Sequence, residues 1–255
     1  MPFTGFEPQE RMNLPRPFLK VVVAQVRFPH LYELEEPGEL VATIQKELAR
    51  EYPRALPREE QLVAISIGSP PPGQRPPGRF GPYRFKSVDD AWLVSLAPDF
   101  IAVEASSYED YDLFAEHLER ILLIVAGALA PGTVERVGLR YVNEVPLESP
   151  DEWRALFTSD LLGLAADDAV AGRVVQEAGQ LTVSLDDHYL TARHGLALED
   201  SVPKAYVLDL DAFVGPSGSF DVQTILSTTR RLKSTCWSFF RAVVTDEFLR
   251  KAGAL

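Results

Sequence analysis

The stretch YRFKSVDDAWLVSLAPDFIAVEASS, residues 83–107, decides the fold class of this chain. It contains three short runs rich in aromatic and β-branched residues, separated by turn residues at Asp89-Asp90 and Pro98-Asp99. Turns this short join antiparallel neighbours, because parallel strands need a crossover of about a dozen residues or more. The stretch therefore predicts an antiparallel meander.

The segments on either side extend this pattern to an α+β protein. Helical spacing of apolar residues predicts helices at 37–52, 108–130, 151–164 and 221–249, and alternation predicts strands at 18–28, 61–68, 134–145, 173–178, 181–185, 189–193 and 206–213. Strands followed by a long helix occur twice, so we expect mainly antiparallel sheets with helices packed on one face, and the order allows two similar halves.

The expected organisation is an irregular arm at 1–17, an N-terminal α+β half at 18–148 and a C-terminal α+β half at 149–255, forming one compact unit. The predicted core consists of residues at the apolar positions of these elements. They are Leu118, Leu122, Leu139, Tyr141, Trp153, Leu208, Leu232 and Phe239.

Composition limits the classes of function. The 255 residues are 46% hydrophobic and carry a net charge of −12 at pH 7, which disfavours general binding to nucleic acids because phosphate neutralisation needs surplus Lys and Arg. Cys236 is the single cysteine, so no intramolecular disulfide can form, and a reducing, cytoplasmic location is expected. The most apolar run, 121–129, is far shorter than the ~20 residues of a membrane span, so no membrane partner is expected.

Three segments together carry a family resemblance: FIAVEASSYEDYDLF at 100–114, VERVGLRYVNEV at 134–145 and YVLDLDAF at 206–213. With the motif G-L-R-Y-[IV]-N at 138–143, the chain resembles a sporadically distributed family of uncharacterised prokaryotic proteins. The resemblance implies a prokaryotic origin and a gene context of mobile cassettes, such as defence or toxin–antitoxin loci. It carries no established activity. The chain departs from the family pattern at two places. It has Leu232-Lys233 where the family often has Leu-His, and Glu104-Ala105-Ser106 where the family has Glu-Thr-Thr.

Asp209 and Asp211 form a D-x-D pattern on the strand predicted at 206–213. Alternation places both carboxylates on one face, ~6–7 Å apart along the strand. Such a pair could hold Mg²⁺ in a phosphodiesterase or nuclease. The alternative, which we favour, is that both face solvent on a half-buried strand. No cofactor is predicted apart from Mg²⁺ under the first reading.

Arg27, Glu104 and Arg140 each lie in a strand that is otherwise apolar. If their strands are neighbours, they could form a pocket for an anion or small ligand lined by two arginines. The alternative, which we favour, is a cross-strand network of ion pairs.

Two further groups of side chains are weaker candidates. Arg230, Lys233 and Trp237 share a stripe of the last helix, which makes it the one local surface that could bind nucleic acid, although a solvated helix face explains it better. His188 and His194, beside Asp186-Asp187, could suggest metal ligands, but a hairpin turn and surface histidines are the favoured interpretation.

No phosphate-binding loop, dinucleotide fingerprint, zinc-protease motif or nucleophile elbow occurs in the sequence, so no catalytic residue is predicted. We therefore expect a non-catalytic protein-binding component whose partner presents a basic face. A metal-dependent phosphodiesterase or nuclease, and a small-ligand sensor, stay as alternatives.

Overall fold

The structure is a computed structural model that describes residues 6–7, 9–10, 12–58, 81–149, 151–170, 172–216 and 218–255. The strand predicted at 61–68 lies outside these residues.

In the described part of the chain, nine strands form one sheet, in the order β2-β3-β4-β5-β1-β7-β10-β9-β8, and two short strands, β11 and β6, form a second. The bounds are β1 Leu19–Arg27, β2 Arg54–Leu56, β3 Tyr83–Lys86, β4 Trp92–Ala97, β5 Phe100–Ala105, β6 Thr133–Val134, β7 Arg136–Pro146, β8 Ala178–Ser184, β9 Tyr189–Glu199, β10 Val202–Val214 and β11 Gly218–Ser219. The predicted meander is β3-β4-β5, whose pairs are antiparallel, with Asp90 in the left-handed region (φ 65°) at its first turn. The prediction of a mainly antiparallel α+β protein is confirmed.

The helices are α1 Glu39–Leu48, α2 Tyr111–Leu129, α3 Trp153–Leu156, α4 Ser159–Leu162, α5 Val222–Val243 and α6 Asp246–Lys251, with 3₁₀ turns at Tyr32–Leu34 and Gly163–Ala166. Helix α2 begins where the Asp110 carboxylate accepts a hydrogen bond from the Leu113 N–H (2.9 Å), and it ends at Ala130 in the left-handed region, before Pro131. None of the helices in the described part of the chain is long and apolar enough to cross a membrane.

Two predicted helices are interrupted. The one expected at 151–164 breaks at Phe157, whose extended backbone forms a bridge with Val244. The one expected at 221–249 stops after Val243, whose carbonyl accepts from the Thr158 N–H (2.9 Å), and Thr245 then caps α6. These tertiary hydrogen bonds replace helical ones at both breaks.

Two other predictions need correction. Residues 173–178 are not a strand; the backbone is irregular until β8 begins at Ala178. Tyr141 is half-buried, whereas the other seven predicted core residues are buried.

By its contacts the chain divides into two compact units. The first comprises Met1–Ala24, Val137–Gly215 and Gln223–Leu255, and the second comprises Gln25–Arg136 and Pro216–Val222. The first unit contains the end of the sheet formed by β7, β10, β9 and β8, with α5 over it: the Cys236 thiol lies 3.9 Å from the carbonyls of Leu139 and Leu210. Cys236 is buried, and burial raises its thiol pKa, so it is a small core residue.

Candidate interaction surface at the β8 edge

Strand β8 lies at the end of the nine-stranded sheet and pairs with β9 in the register Ala178↔Gly195 to Ser184↔Tyr189. Hydrogen bonds from the Leu196 N–H to the Glu177 carbonyl (2.9 Å) and from the Leu185 N–H to the His188 carbonyl (2.8 Å) bracket the hairpin.

Bonded and non-bonded pairs alternate in an antiparallel ladder, so residues 179, 181 and 183 direct their backbone groups to β9. The other four, Ala178, Gln180, Thr182 and Ser184, direct N–H and C=O groups outward. All four are exposed, and these outward groups have no hydrogen-bond partner among the described residues.

The sequence of this edge, AGQLTVS, contains no charged residue and no proline. Natural proteins usually protect a sheet edge with charge, proline or a very short strand. The opposite edge follows that rule: β2 has three residues, begins with Arg54 and lies between Pro53 and Pro57. Leu181, in the middle of β8, is 51% exposed. With respect to the described residues, the β8 edge is therefore open for backbone pairing.

A row of polar side chains crosses the sheet next to this edge. Arg140 of β7 donates from Nε and Nη2 to the two carboxylate oxygens of Asp209 on β10, at 2.7 and 2.8 Å. Arg193 of β9 donates from Nη1 to the same carboxylate (3.4 Å) and from Nε to Gln180 of β8 (3.1 Å). The paired geometry on Arg140 is the strongest form of arginine–carboxylate contact.

This row changes the interpretation of the D-x-D pattern. The Asp209 side chain is 7% exposed, so the expectation that it faces solvent is wrong; two guanidinium groups cover it. Asp211 is half-buried and lies opposite Arg140 in the register. A metal ion on Asp209 would have to displace Arg140 from both oxygens, and within the described residues no cluster of three or more His, Cys, Asp or Glu side chains could hold a metal.

Beneath the start of β8 lies a polar cluster that was not predicted from the sequence, in which Tyr206 is buried and the His194 and Glu177 side chains are 11% and 10% exposed. The His194 Nδ1 atom lies 2.7 Å from the Tyr206 hydroxyl and 3.2 Å from Glu177 Oε1. Tyr206 is fully buried, and burial, followed by the negative charge of Glu177, raises its pKa, so the phenol stays protonated. Glu177 Oε2 is buried without a hydrogen-bond partner among the described residues.

The cluster fixes the position of β8. A Cβ atom on Gly179 would lie 2.3 Å from His194 Nε2, so only glycine lets the imidazole pack directly against the strand. Trp153 stacks on the Tyr206 ring at 5.7 Å and Phe157 lies 4.5 Å from it. His194 is thus an interior residue and not the surface histidine that was expected. The sequence signal for this packing is Gly179, a residue type that is also common in turns.

An acidic turn follows the other end of β8. Asp187 contacts both His188 (2.7 Å) and Arg231 of α5, and His188 also contacts the Thr235 hydroxyl (2.8 Å). Asp186 is exposed and makes no hydrogen bond or ion pair among the described residues, although its charge acts on the neighbouring His188. The turn therefore presents one carboxylate to solvent just beyond the open edge.

The remaining predicted site residues are separately engaged. Strands β5, β1 and β7 are neighbours in the order that the arginine hypothesis requires. Arg27, however, donates to Asp99 (2.5 Å), whereas Arg140 binds Asp209. Glu104 is half-buried on β5 opposite Leu93.

The proposed nucleic-acid stripe runs along α5. Arg230 is exposed, whereas Lys233 and Trp237 are half-buried. The Trp237 indole N–H donates to the Glu10 carbonyl (3.0 Å), and its ring stacks on Phe240 at 5.7 Å. The indole is thus already packed against the chain, which leaves less of it for stacking on a base.

No protein-family model matches this sequence, and no curated protein matches it either.

Proposed function

We propose that this protein is a non-catalytic protein-binding component and that the edge of β8 belongs to its binding surface. The observation that supports the proposal most directly is the open, uncharged edge with its four outward-facing residues. An edge of this kind is a template for pairing with another chain.

The strands at this end of the sheet also expose large apolar side chains. Four of the exposed large hydrophobic residues lie on β8, β9 and β10: Leu181, Tyr189, Leu198 and Val202, each 41–51% exposed. A standard interface requires only about 800 Å² from each partner. A net charge of −12 favours a partner with a basic face and accelerates its approach at low salt.

The alternatives lack comparable support. The metal-dependent enzyme requires a carboxylate free to bind Mg²⁺, but Asp209 is bound by two arginines. The anion sensor requires Arg27 and Arg140 to be free to bind a ligand, but Arg27 donates to Asp99 and Arg140 to Asp209. An incoming anion would have to compete with a carboxylate that is already in contact.

The test combines a binding assay with an activity assay. Purified protein is mixed with the products of adjacent genes, and the molar mass of any complex is measured by size-exclusion chromatography with light scattering. The protein is also incubated with Mg²⁺ or Mn²⁺ and labelled single- and double-stranded nucleic acids, alongside Asp209→Asn and Asp211→Asn variants. A stoichiometric complex and no cleavage are expected. Metal-dependent cleavage that both variants abolish, with no complex, would overturn the proposal.

A further inference from the structure

We infer that the partner supplies an extended segment that joins β8 as an additional antiparallel strand, with apolar residues at every second position and a lysine or arginine beside Asp186. The inference rests on the proposed function and specifies the chemistry of the bound segment.

The backbone of β8 defines the binding mode. Ala178, Gln180, Thr182 and Ser184 recur at the spacing of every second residue, each with one N–H and one C=O directed outward. An incoming strand can satisfy all of these groups only in an extended conformation, because a helix retains its own backbone groups. The buried cluster of Glu177, His194 and Tyr206 holds the start of β8 in place, so the edge is ordered before binding.

The side chains of β8 determine the alternation in the segment. Leu181 lies opposite Ala192, which lies opposite Leu210, so these three residues share one face, on which Ala192 and Leu210 are buried. An apolar residue beside Leu181 would extend that buried face. On the other face, Gln180 lies next to Arg193, and the Thr182 hydroxyl contacts that of Thr191 (3.0 Å), so polar residues fit there.

Charge places the basic residue of an antiparallel segment and favours a partner over a second copy of this chain. Asp186 lies just beyond the C-terminal end of β8, so an antiparallel segment brings its N-terminal end beside that carboxylate, and a basic residue belongs there. Two copies of this chain, each with a charge of −12, repel one another at long range. The same charge attracts a basic segment at long range.

The experiment measures binding of synthetic peptides by fluorescence anisotropy. The probe peptide alternates valine with threonine behind two N-terminal lysines. Its controls are a scrambled peptide of the same composition, a peptide N-methylated at alternate amides, and a peptide with glutamine in place of lysine. The proteins are wild type, Thr182→Pro, Thr182→Val and Asp186→Asn.

Thr182→Pro and Thr182→Val both remove the hydroxyl contact to Thr191, but only proline removes the outward N–H. We expect Thr182→Pro to weaken binding of the probe by at least about tenfold and Thr182→Val to bind it almost as wild type does. The scrambled and N-methylated peptides should bind far more weakly to wild type. Asp186→Asn should weaken binding of the lysine peptide several-fold and leave the glutamine peptide unchanged.

Several results would overturn the inference: no binding of the probe to wild type, equal binding of the N-methylated peptide, or equal binding by Thr182→Pro. A dimer of the protein alone that Thr182→Pro dissociates would show that a second copy occupies the edge. The N-methylated peptide makes the test independent of whether Thr182→Pro folds. If a complex with an adjacent gene product survives Thr182→Pro, the protein still functions by binding a partner, but its binding surface is not the edge of β8 and strand addition there fails.

Discussion

Replacing Gly179 by alanine should destabilise the protein, although most glycine-to-alanine changes in extended backbone do not introduce a clash. The new Cβ would lie 2.3 Å from His194 Nε2 and 2.7 Å from its Cε1, so the imidazole must move. Moving it breaks the 2.7 Å contact with the buried Tyr206 hydroxyl, which costs about 1–3 kcal/mol. Alanine also lowers the conformational entropy of the unfolded chain, which offsets this loss by about 0.4–1 kcal/mol. The midpoints of these two ranges leave an expected net loss of about 1.3 kcal/mol.

Urea denaturation would measure this loss as a lower free energy of unfolding. Gly127→Ala is the matched control, because a Cβ there meets nothing within 4 Å in the exposed interior of α2, and alanine should stabilise that helix by about 0.5–1 kcal/mol. In a double-mutant cycle, Gly179→Ala should add no further loss to His194→Ala, because the clashing ring is gone. A Gly179→Ala protein as stable as wild type, or losses that simply add in the cycle, would refute the packing of His194 beneath β8.

Three other substitutions test the interior of the molecule. Asp209→Asn should lower the free energy of unfolding by about 1–2 kcal/mol in urea denaturation, because it removes a buried charge shared by two partly exposed arginines. The control Asp186→Asn should have almost no effect. Equal values for the two variants would contradict the ion pairs of Asp209 with these arginines. Leu122→Ala should lower the free energy of unfolding by about 2–5 kcal/mol, because this side chain is buried. Substitution of its exposed neighbour, Leu123→Ala, should change it very little. Similar melting temperatures for the two variants would mean that the buried face of α2 is wrongly assigned. Burial, and then the positive charge of Arg120, lower the pKa of His117 below 6.5. The free energy of unfolding should therefore be highest above pH 6.5 and should fall as the pH drops below that value, and the fall should be smaller in His117→Gln. A pH profile that this variant leaves unchanged would argue against a buried neutral histidine.

The sequence was sufficient for the meander and the long helices because their signals are local. Turn residues at Asp89-Asp90 and a capping Asp110 act within a few positions, and the observed elements begin and end near them. The break after Val243 was not predictable, because it depends on hydrogen bonding to Thr158, far away in the sequence. Helical spacing continues through the break, so periodicity alone predicts one helix.

The candidate surface depends on the order of strands in the sheet. Asp209 is covered by Arg140, 69 positions away in the chain, so its burial follows from a register that the sequence does not contain locally. A strand was predicted at 181–185, but whether a strand is an edge depends on which strands neighbour it. His194 was wrongly predicted to be a surface histidine, because the sequence around a histidine packed against a glycine resembles that of an exposed turn.

Hydrogen exchange at single amides along β8, measured by NMR for the free protein and for its complex, would show whether a partner strand pairs with this edge. In the free protein the outward N–H groups of Ala178, Gln180, Thr182 and Ser184 should exchange quickly, while those of residues 179, 181 and 183 should be protected by β9. In the complex with the partner, the four outward amides should become protected and the alternation should disappear. Outward amides that exchange equally fast in the free protein and in a stoichiometric complex would contradict the assignment of β8 as the binding edge.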